Sequence, residues 1–418
     1  MVEIKRDQYL NALIDRMHNG LIKVVTGVRR SGKSFLIFKI FHEYLKKQNV
    51  PDDHVIRIEL DQRKNRKYRD PDVILEFVES AIMDNENYYL LLDEVQMLKD
   101  FEEVLNSLLH IRNLDIYVTG SNSKFLSKDV ITEFRGRGDE VHIYPLSFSE
   151  FMSVYDGDVY HGWSDYVTFG GLPLVATMKT EQQKISYLTN LFTEVYLKDT
   201  IERNRIEKTQ ELEDLINVLA SAVGSLTNPS KIEATFKSVT KSALSKKTIS
   251  QYIEYLEEAY IIAAAQRYDV KGRKYIGTPL KYYFEDVGLR NARLGFRQVE
   301  ETHLMENIIF NELRYRGYLV DVGVVDIRQR TKDGTQLRKK LEIDFVANQG
   351  SKRYYLQSAF ALPDQEKAEQ ERASLVSVND SFKKIILVKD VINIQRGEDG
   401  ITTMGVYDFL LKPNSLEM

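Results

Sequence analysis

The sequence predicts an α/β protein, in which a parallel sheet covered by helices is followed by a helical segment and an α+β segment. As far as about residue 145, short apolar runs alternate with segments that carry apolar residues at helix period. A glycine-containing turn joins the first apolar run to the first helical segment. Beyond residue 300, a helix precedes several strand candidates. These patterns indicate more than one compact unit.

The first part of the chain contains five strand candidates, each a short apolar run. Segments such as residues 35–46 and 72–83 are long enough to cross back over a parallel sheet. The strand candidates are residues 21–26, 55–60, 88–93, 115–119 and 140–145. We therefore predict an α/β nucleotide-binding core over residues 1–147.

Three further segments are predicted behind this core. Residues 148–205 are mainly helical, interrupted by a Gly-Gly-Leu-Pro turn at 170–173, and are predicted to form a small helical lid. Residues 206–298 combine helices with a hairpin that turns at 271–273, which predicts a winged helix. Residues 299–418 are predicted to form an α+β domain with a helix at 302–316 and strands at 318–326, 341–347, 353–359 and 384–389.

Composition limits the classes of function. The 418 residues are 43% hydrophobic and 29% charged, which is typical of a globular protein with a sizeable core. The net charge of -4 and the pI of 6.1 provide no global basic field, so any nucleic-acid contact must come from local patches. The absence of cysteine excludes disulfides and thiolate zinc sites. No apolar stretch of about 18 residues occurs, so we expect a cytoplasmic protein without a membrane segment.

Residues 27–34, Gly-Val-Arg-Arg-Ser-Gly-Lys-Ser, match the phosphate-binding pattern G-x-x-x-x-G-K-[ST] between a strand and a helix. Glycines let backbone N–H groups approach phosphates, Lys33 neutralises the outer phosphates, and the Ser34 hydroxyl is a Mg2+ ligand. The alternative is a purely structural glycine turn. We predict ATP and Mg2+ as cofactors, with nucleotide contacts from Gly27, Arg30, Ser31, Gly32, Lys33, Ser34, Phe35 and Asp93.

The third strand candidate ends in two acidic residues, Asp93 and Glu94, where parallel sheets bind ligands. Asp93 is predicted to hold Mg2+ together with Ser34. Glu94 is predicted to act as the general base that polarises the attacking water. A solvated strand end is the alternative, but the phosphate-binding loop supplies the complementary half of one mechanism.

Other candidate catalytic residues follow the fourth strand. Asn122, or its neighbour Ser121, is predicted to sense the γ-phosphate, and an ordinary helix cap is the alternative. Arg135 and Arg137 are candidates for an arginine finger that reaches a neighbouring subunit's nucleotide, with Arg137 preferred. A surface loop is the alternative reading of that segment.

These motifs together resemble a family of prokaryotic AAA+-type ATPases that carry a C-terminal domain of unknown function. The resemblance runs through nearly the whole chain and rests on residues 27–34, 92–96, 119–123, 136–137, 145–151 and 170–173. It implies a five-stranded AAA+ core, a helical lid, a winged-helix segment and a nuclease-like C-terminal fold. The nuclease skeleton would place Glu306 on a helix and Asp344 on a strand, but Gln357 and Ala359 stand where an acid and a lysine are expected. Nuclease activity is therefore not expected.

Three segments are candidates for DNA contact. The helix around residues 246–260 begins basic and polar, with Ser245 as its expected cap and Ile249, Ile253, Leu256 and Tyr260 on one face. It then turns acidic, so only its first turns suit a DNA backbone. The basic turn at 271–274 and the basic run at 63–69 add local positive charge. Solvation or packing of these segments is the alternative.

The combined prediction is an ATP-hydrolysing AAA+-type protein, a homo-oligomer or dimer, that couples nucleotide turnover to binding or remodelling of double-stranded DNA. The alternative is an ATP-controlled protein-interaction switch or scaffold with no DNA substrate.

Overall fold

The computed structural model describes residues 4–120, 136–240, 244–330 and 336–418. The chain folds into two compact units. The first unit comprises Met1–Pro145 and Glu258–Tyr260, and the second comprises Leu146–Glu257 and Ile261–Met418. The finer division into four domains stays a prediction.

The first unit is built on a five-stranded sheet in the order β2-β3-β4-β1-β5, with every neighbouring pair parallel. Its strands are β1 (Ile22–Thr26), β2 (Val55–Glu59), β3 (Tyr88–Asp93), β4 (Leu114–Thr119) and β5 (Gly138–His142). The central strands β1, β3 and β4 are buried throughout, which is why they are mainly apolar apart from the paired charges of Lys23 and Asp115. The predicted parallel α/β core is confirmed.

Helices connect and cover these strands. A helical run begins at Lys33, directly after the phosphate-binding loop, and passes through a π-helical turn at Leu36–Phe41. The Asp70 side chain caps the helix after β2 by accepting hydrogen bonds from the backbone N–H groups of Asp72 and Val73. The α-helices of the first unit are Asp7–Ile14, Lys33–Phe35, His42–Lys47, Pro71–Ala81 and Phe101–Leu108, and short 3-10 helices span Asp52–His54, Arg63–Arg69 and Val95–Met97.

The second unit begins with helices, as predicted for residues 148–205. Ser147 and Glu150 form a reciprocal cap at its start, each side chain accepting from the other's backbone N–H at 3.2 and 3.0 Å. The α-helices of the second unit are Phe148–Met152, Val159–Phe169, Pro173–Ala176, Glu181–Asn190, Lys198–Asn204, Thr209–Ser221, Pro229–Thr235, Lys246–Glu258, Val287–Arg293, Glu301–Tyr315, Gln365–Val376 and Val406–Leu411. π-Helical turns span Leu191–Leu197 and Phe236–Thr240, and a 3-10 helix spans Ser415–Glu417.

The Gly-Gly-Leu-Pro turn ends a helix at Phe169, as the sequence predicts, and it is also a packing point. The carboxylate of Asp286 accepts from the backbone N–H of Gly171 at 2.7 Å and from that of Leu289 at 2.9 Å. A Cβ on Gly171 would lie 2.4 Å from the carbonyl oxygen of Leu146. Burial raises the pKa of Asp286 to about 6. This turn therefore requires glycine because backbone and carboxylate approach it closely.

The second unit also contains an eight-stranded sheet in the order β12-β13-β11-β10-β9-β8-β6-β7. The predicted wing hairpin forms β6 and β7, and β6 pairs in parallel with β8, so the hairpin shares one sheet with the C-terminal strands. The strands are β6 (Ile262–Asp269), β7 (Lys274–Phe284), β8 (Leu319–Arg330), β9 (Gln336–Gln349), β10 (Lys352–Ala359), β11 (Lys383–Val388), β12 (Gln395–Arg396) and β13 (Thr402–Gly405). The predicted boundary at 298 thus falls between strands of the same sheet.

Among the described residues, none of the helices combines the length and the apolar character needed to cross a lipid bilayer.

Candidate nucleotide-binding site

The predicted phosphate-binding loop follows β1 and requires glycine at its first position. Gly27 has a φ of +131°, and a Cβ there would lie 2.2 Å from the carbonyl oxygen of Ile143. Gly32 has a φ of +100° immediately before the helix that begins at Lys33. The loop therefore packs closely against the segment that follows β5. It leads directly into the helix, so the backbone N–H groups of the first helical turn lie at the loop.

Lys33 is buried within its own loop. Its ammonium donates to the carbonyl oxygens of Gly27 at 2.8 Å and Val28 at 3.0 Å. Burial lowers the pKa of Lys33 to about 8, although the carboxylates of Glu94 and Asp93 oppose that shift. The two carbonyl oxygens satisfy the ammonium where a phosphate oxygen would replace them.

Three side chains from separate elements meet at the end of β3. The hydroxyl of Ser34 donates to Asp93 Oδ1 at 3.0 Å, and the hydroxyl of Thr119, the last residue of β4, donates to the same oxygen. Burial raises the pKa of Asp93, while the hydrogen bonds from Thr119 and Ser34 lower it. Ser34 and Asp93 offer hard oxygen ligands side by side, which fits Mg2+. The fold brings these two predicted ligands together.

Glu94 follows the end of β3 in a strained backbone conformation. Its φ of +53° lies in the left-handed region, which is uncommon for residues other than glycine. Its backbone N–H donates to Thr119 Oγ1 at 3.2 Å, and its carboxylate accepts from the side-chain amide of Gln96. The carboxylate is near enough to Lys33 to oppose the lowering of that residue's pKa by burial. Glu94 thus belongs to the same site as the loop.

Sequence reasoning missed two parts of this site. Thr119 bridges Asp93 and Glu94, although only its downstream neighbours were candidates. Glu59 and Asp61 offer carboxylate oxygens that lie, with one from Asp93, within 4.8 Å of one another. The signal was available, because β2 and β4 flank β3 in parallel and their polar C-terminal residues must end beside Asp93.

The other predicted nucleotide contacts lie in the loop or just after it. Ser31 is buried, and among the described residues its hydroxyl has no hydrogen-bond partner, which suits a phosphate oxygen. Arg30 is exposed with a φ of +66°, and Phe35 is 40% exposed directly after Ser34. Arg30 and Phe35 are therefore open to solvent beside the loop.

The remaining predicted catalytic residues are only partly described. Arg137 is exposed just before β5, and its guanidinium donates to Asn106 Oδ1 at 3.5 Å. The predicted sensor residues Ser121 and Asn122 and the finger candidate Arg135 lie outside the described residues. Their roles stay predictions.

A second cluster of charged side chains lies in the second unit, around Lys281 on β7. Its ammonium lies 2.8 Å from Glu306 and Glu342 and 3.4 Å from Asp344. The Tyr283 hydroxyl donates to Glu306 Oε1 at 2.6 Å. Burial alone would lower the pKa of Lys281, but the three carboxylates hold it above the ordinary value. The predicted nuclease-like acids are thus gathered around an internal cation.

The two positions that depart from the nuclease pattern lie next to this cluster on β10. Ala359 is buried, and Gln357 accepts a hydrogen bond from the Ser374 hydroxyl at 3.5 Å. Between them, the backbone N–H of Ser358 donates to Asp344 Oδ2 at 2.8 Å. One acid of the cluster is therefore already satisfied by a backbone donor as well as by Lys281.

The predicted DNA-facing helix is present as Lys246–Glu258. The Ser245 hydroxyl accepts from the backbone N–H of Thr248 at 3.2 Å, which confirms the expected cap. Ile249, Ile253 and Leu256 are buried as predicted, and Tyr252 joins them. Lys246 and Lys247 at the helix start are exposed.

Fold and site together define a P-loop nucleotide-binding protein of the AAA+ class. A family model described as an AAA domain matches residues 19–152, and a model described as a domain of unknown function, DUF8612, matches residues 160–300. An uncharacterized protein of Haemophilus influenzae is 34% identical over 415 residues, covering 98% of this chain and 99% of that protein. The chain therefore belongs to the same family as that protein, and its own residues 19–152 form an AAA domain.

More distant likenesses were also found. An uncharacterized protein of Methanocaldococcus jannaschii is 26% identical over 397 residues, covering 91% of this chain and 84% of that protein. Among solved structures, the Aeropyrum pernix ORC1 protein in complex with DNA is 13% identical over 70% of this chain and 92% of its own, with a TM-score of 0.28. A DNA polymerase III gamma subunit-related protein of Thermotoga maritima is 12% identical over 60% and 99%, with a TM-score of 0.29.

Proposed function

We propose that this protein hydrolyses ATP in a Mg2+-dependent reaction at the loop of residues 27–34. The observation that carries the proposal is the Lys33 ammonium held by two backbone carbonyls, beside the paired oxygens of Ser34 and Asp93. Phosphate oxygens compete well for such an ammonium because their negative charge adds a Coulombic attraction that neutral carbonyl oxygens lack. ATP binding is thus an exchange of partners at Lys33, with the Ser31 hydroxyl as a further donor.

In this proposal Ser34 and Asp93 hold the metal and Glu94 acts on water. Mg2+ bound there neutralises charge that develops on the phosphate oxygens. Glu94 accepts a proton as the water oxygen bonds to the γ-phosphorus and the bond from that phosphorus to the ADP oxygen breaks. Thr119 is a positioning residue, since its hydroxyl fixes both Asp93 and the backbone of Glu94.

The same proposal assigns roles to the other predicted site residues. Asn122 orients the water or senses the γ-phosphate, and Arg137 or Arg135 completes the site of a neighbouring subunit in a homo-oligomer or dimer. The exposure of Arg137 supports this, because a finger that acts on another chain must be accessible from outside its own. Phe35 and Arg30, both exposed beside the loop, contact the nucleotide.

We further propose that ATP turnover is coupled to DNA binding. The support is local: Lys246 and Lys247 are exposed at the start of a capped helix, and the β6–β7 turn carries Lys271 and Arg273. The competing proposal is an ATP-controlled protein-interaction switch, favoured by the net charge of -4. DNA affinity measured at moderate salt with and without ATP separates them, since a protein switch would bind no DNA.

The C-terminal domain is proposed to be nuclease-like in fold but without cleavage activity. Lys281 already neutralises the carboxylates of Glu306 and Asp344, where a nuclease would bind Mg2+. Gln357 and Ala359 supply neither the further acid nor the lysine that activates water. Magnesium-dependent cleavage of DNA by the intact protein would contradict this proposal.

The ATPase proposal is tested by two substitutions. Lys33→Ala should remove turnover, because the ammonium that binds the outer phosphates is lost. Glu94→Gln should still bind ATP but lose about 10² to 10⁴ in rate, the usual contribution of a general base. Steady-state phosphate release and nucleotide binding are measured on both variants. Unchanged turnover in Lys33→Ala would refute the site, and normal turnover in Glu94→Gln would show that another residue is the base.

A further inference from the structure

The second unit contains a cleft of about 540 Å³ that neither the nucleotide site nor the Lys281 cluster uses. Its walls are the turn between β6 and β7, the turn between β9 and β10, and residues 378–382 before β11. The volume falls within the range of roughly 300 to 1,000 Å³ that is usual for ligand sites. Three turns thus converge on a space large enough for a nucleotide-sized group.

The lining of this cleft is positively charged. It carries Lys271, Arg273, Lys352 and Arg353 against the single carboxylate of Asp380. The Asp380 carboxylate already accepts a hydrogen bond from the Tyr355 hydroxyl at 2.6 Å. The excess of cations favours an anionic ligand.

The four cations are not equivalent. Lys352 pairs with Glu417 at 2.8 Å, so its charge is largely offset. Arg353 is held by Asn348 Oδ1 at 2.7 Å. Lys271 donates to the backbone carbonyl of Asp326 at 3.1 Å, and both Lys271 and Arg273 are exposed. Lys271 and Arg273 are therefore the two lining cations that are exposed and, among the described residues, not paired with a carboxylate.

An aromatic surface lies beside these charges. The Arg353 guanidinium lies 5.4 Å from the ring centroids of both Tyr268 and Phe382, a cation–π arrangement that fixes all three side chains. Phe382 remains 39% exposed. An exposed ring next to exposed cations is the combination that binds single strands, where bases stack on aromatic side chains and the groove follows the phosphates.

We propose that this cleft binds a single-stranded segment of nucleic acid, with phosphates at Lys271 and Arg273 and one base stacked on Phe382. The assignment rests on the proposed coupling to DNA and specifies the strand form and the residues. A duplex keeps its bases stacked on one another, so it gains nothing from the Phe382 ring. The cleft accordingly prefers a single strand to a duplex.

The test uses the full chain and a fluorescently labelled oligothymidylate of about 20 nucleotides, with a duplex of equal length, over a salt series. Arg273→Glu should weaken single-strand binding at least tenfold and make the salt dependence shallower, by about 0.7 in log–log slope for the one phosphate contact that it removes. Phe382→Ala should weaken it about 5- to 100-fold and leave duplex binding unchanged. Lys179→Glu is the matched control, because it makes the same charge change at an exposed position outside the cleft and should stay within about twofold.

The outcomes separate this site from the wider proposal. If the wild type binds oligothymidylate but Arg273→Glu and Phe382→Ala behave like Lys179→Glu, the cleft is wrong and DNA coupling stands. If the wild type binds neither single strand nor duplex, with or without ATP, both proposals are overturned. Equal loss of duplex and single-strand binding in Phe382→Ala would overturn the assignment to single strands. Circular dichroism and an unchanged basal ATPase rate confirm that each variant is folded.

Discussion

Raising the pH from 7 to 9 should weaken ATP binding about tenfold, because the loop's lysine loses its charge in that interval. Lys33 has a pKa of about 8 in the nucleotide-free loop, lowered by burial from 10.5. Its ammonium form therefore falls from about nine-tenths of the population at pH 7 to about one-tenth at pH 9. Phosphate favours the ammonium and raises this pKa on binding, so the protein takes up a proton with ATP at the alkaline end of the range. A lysine of ordinary pKa would stay charged throughout.

The measurement is the dissociation constant of ATP from pH 7 to pH 9, with EDTA present so that no turnover occurs. Calorimetry in buffers of different ionisation enthalpy counts the protons taken up. Lys33→Arg is the control, since its guanidinium keeps its charge across the range and any remaining affinity should not depend on pH. A wild-type dissociation constant that changes less than twofold, with circular dichroism unchanged, would refute the reasoning.

Three further changes test other contacts. Gly27→Ala should lower the melting temperature and abolish ATP binding, because the new Cβ would lie 2.2 Å from the carbonyl oxygen of Ile143; wild-type affinity would show that the loop is not held in this conformation. Thr119→Val should slow ATP turnover about tenfold, with ATP affinity retained, because Asp93 and the backbone of Glu94 lose their shared hydroxyl; an unchanged rate would remove its positioning role. Lys281→Met should cost about 3 to 5 kcal/mol in urea unfolding, because it leaves buried carboxylates without a counter-ion, and a loss under 1 kcal/mol would contradict the charge balance described for the cluster.

The parallel core could be predicted because burial leaves a direct record in the sequence. β3 is buried over its whole length, and its apolar run ends at Asp93, where the strand itself ends. The edge strand β5 was placed two to three residues too late, since Gly138–His142 is polar and only Val141 among its residues is buried. The cap at Ser245 could be predicted because its hydrogen bond to the backbone N–H of Thr248 is local.

Long-range pairing could not be predicted in the same way. Nothing in the residues of the β6–β7 hairpin shows that Arg267–Asp269 pairs with β8, some fifty residues further on. β9 extends from Gln336 to Gln349, well beyond the predicted strand at 341–347, because its polar first half pairs with β8 rather than filling a core. The role of Lys281 could not be predicted for the same reason, because the three acidic residues that contact its ammonium lie on other elements of the chain.

The arrangement around Lys281 also restricts how this domain can change over time. Removing the lysine alone leaves Glu306, Glu342 and Asp344 repelling one another, and adding an acid at Gln357 alone enlarges a charge excess that one ammonium already balances incompletely. Each single substitution toward a metal centre therefore worsens the local charge balance, and a bound divalent cation would have to restore it. The Lys281 ammonium thus occupies the position among the carboxylates that such a cation would need.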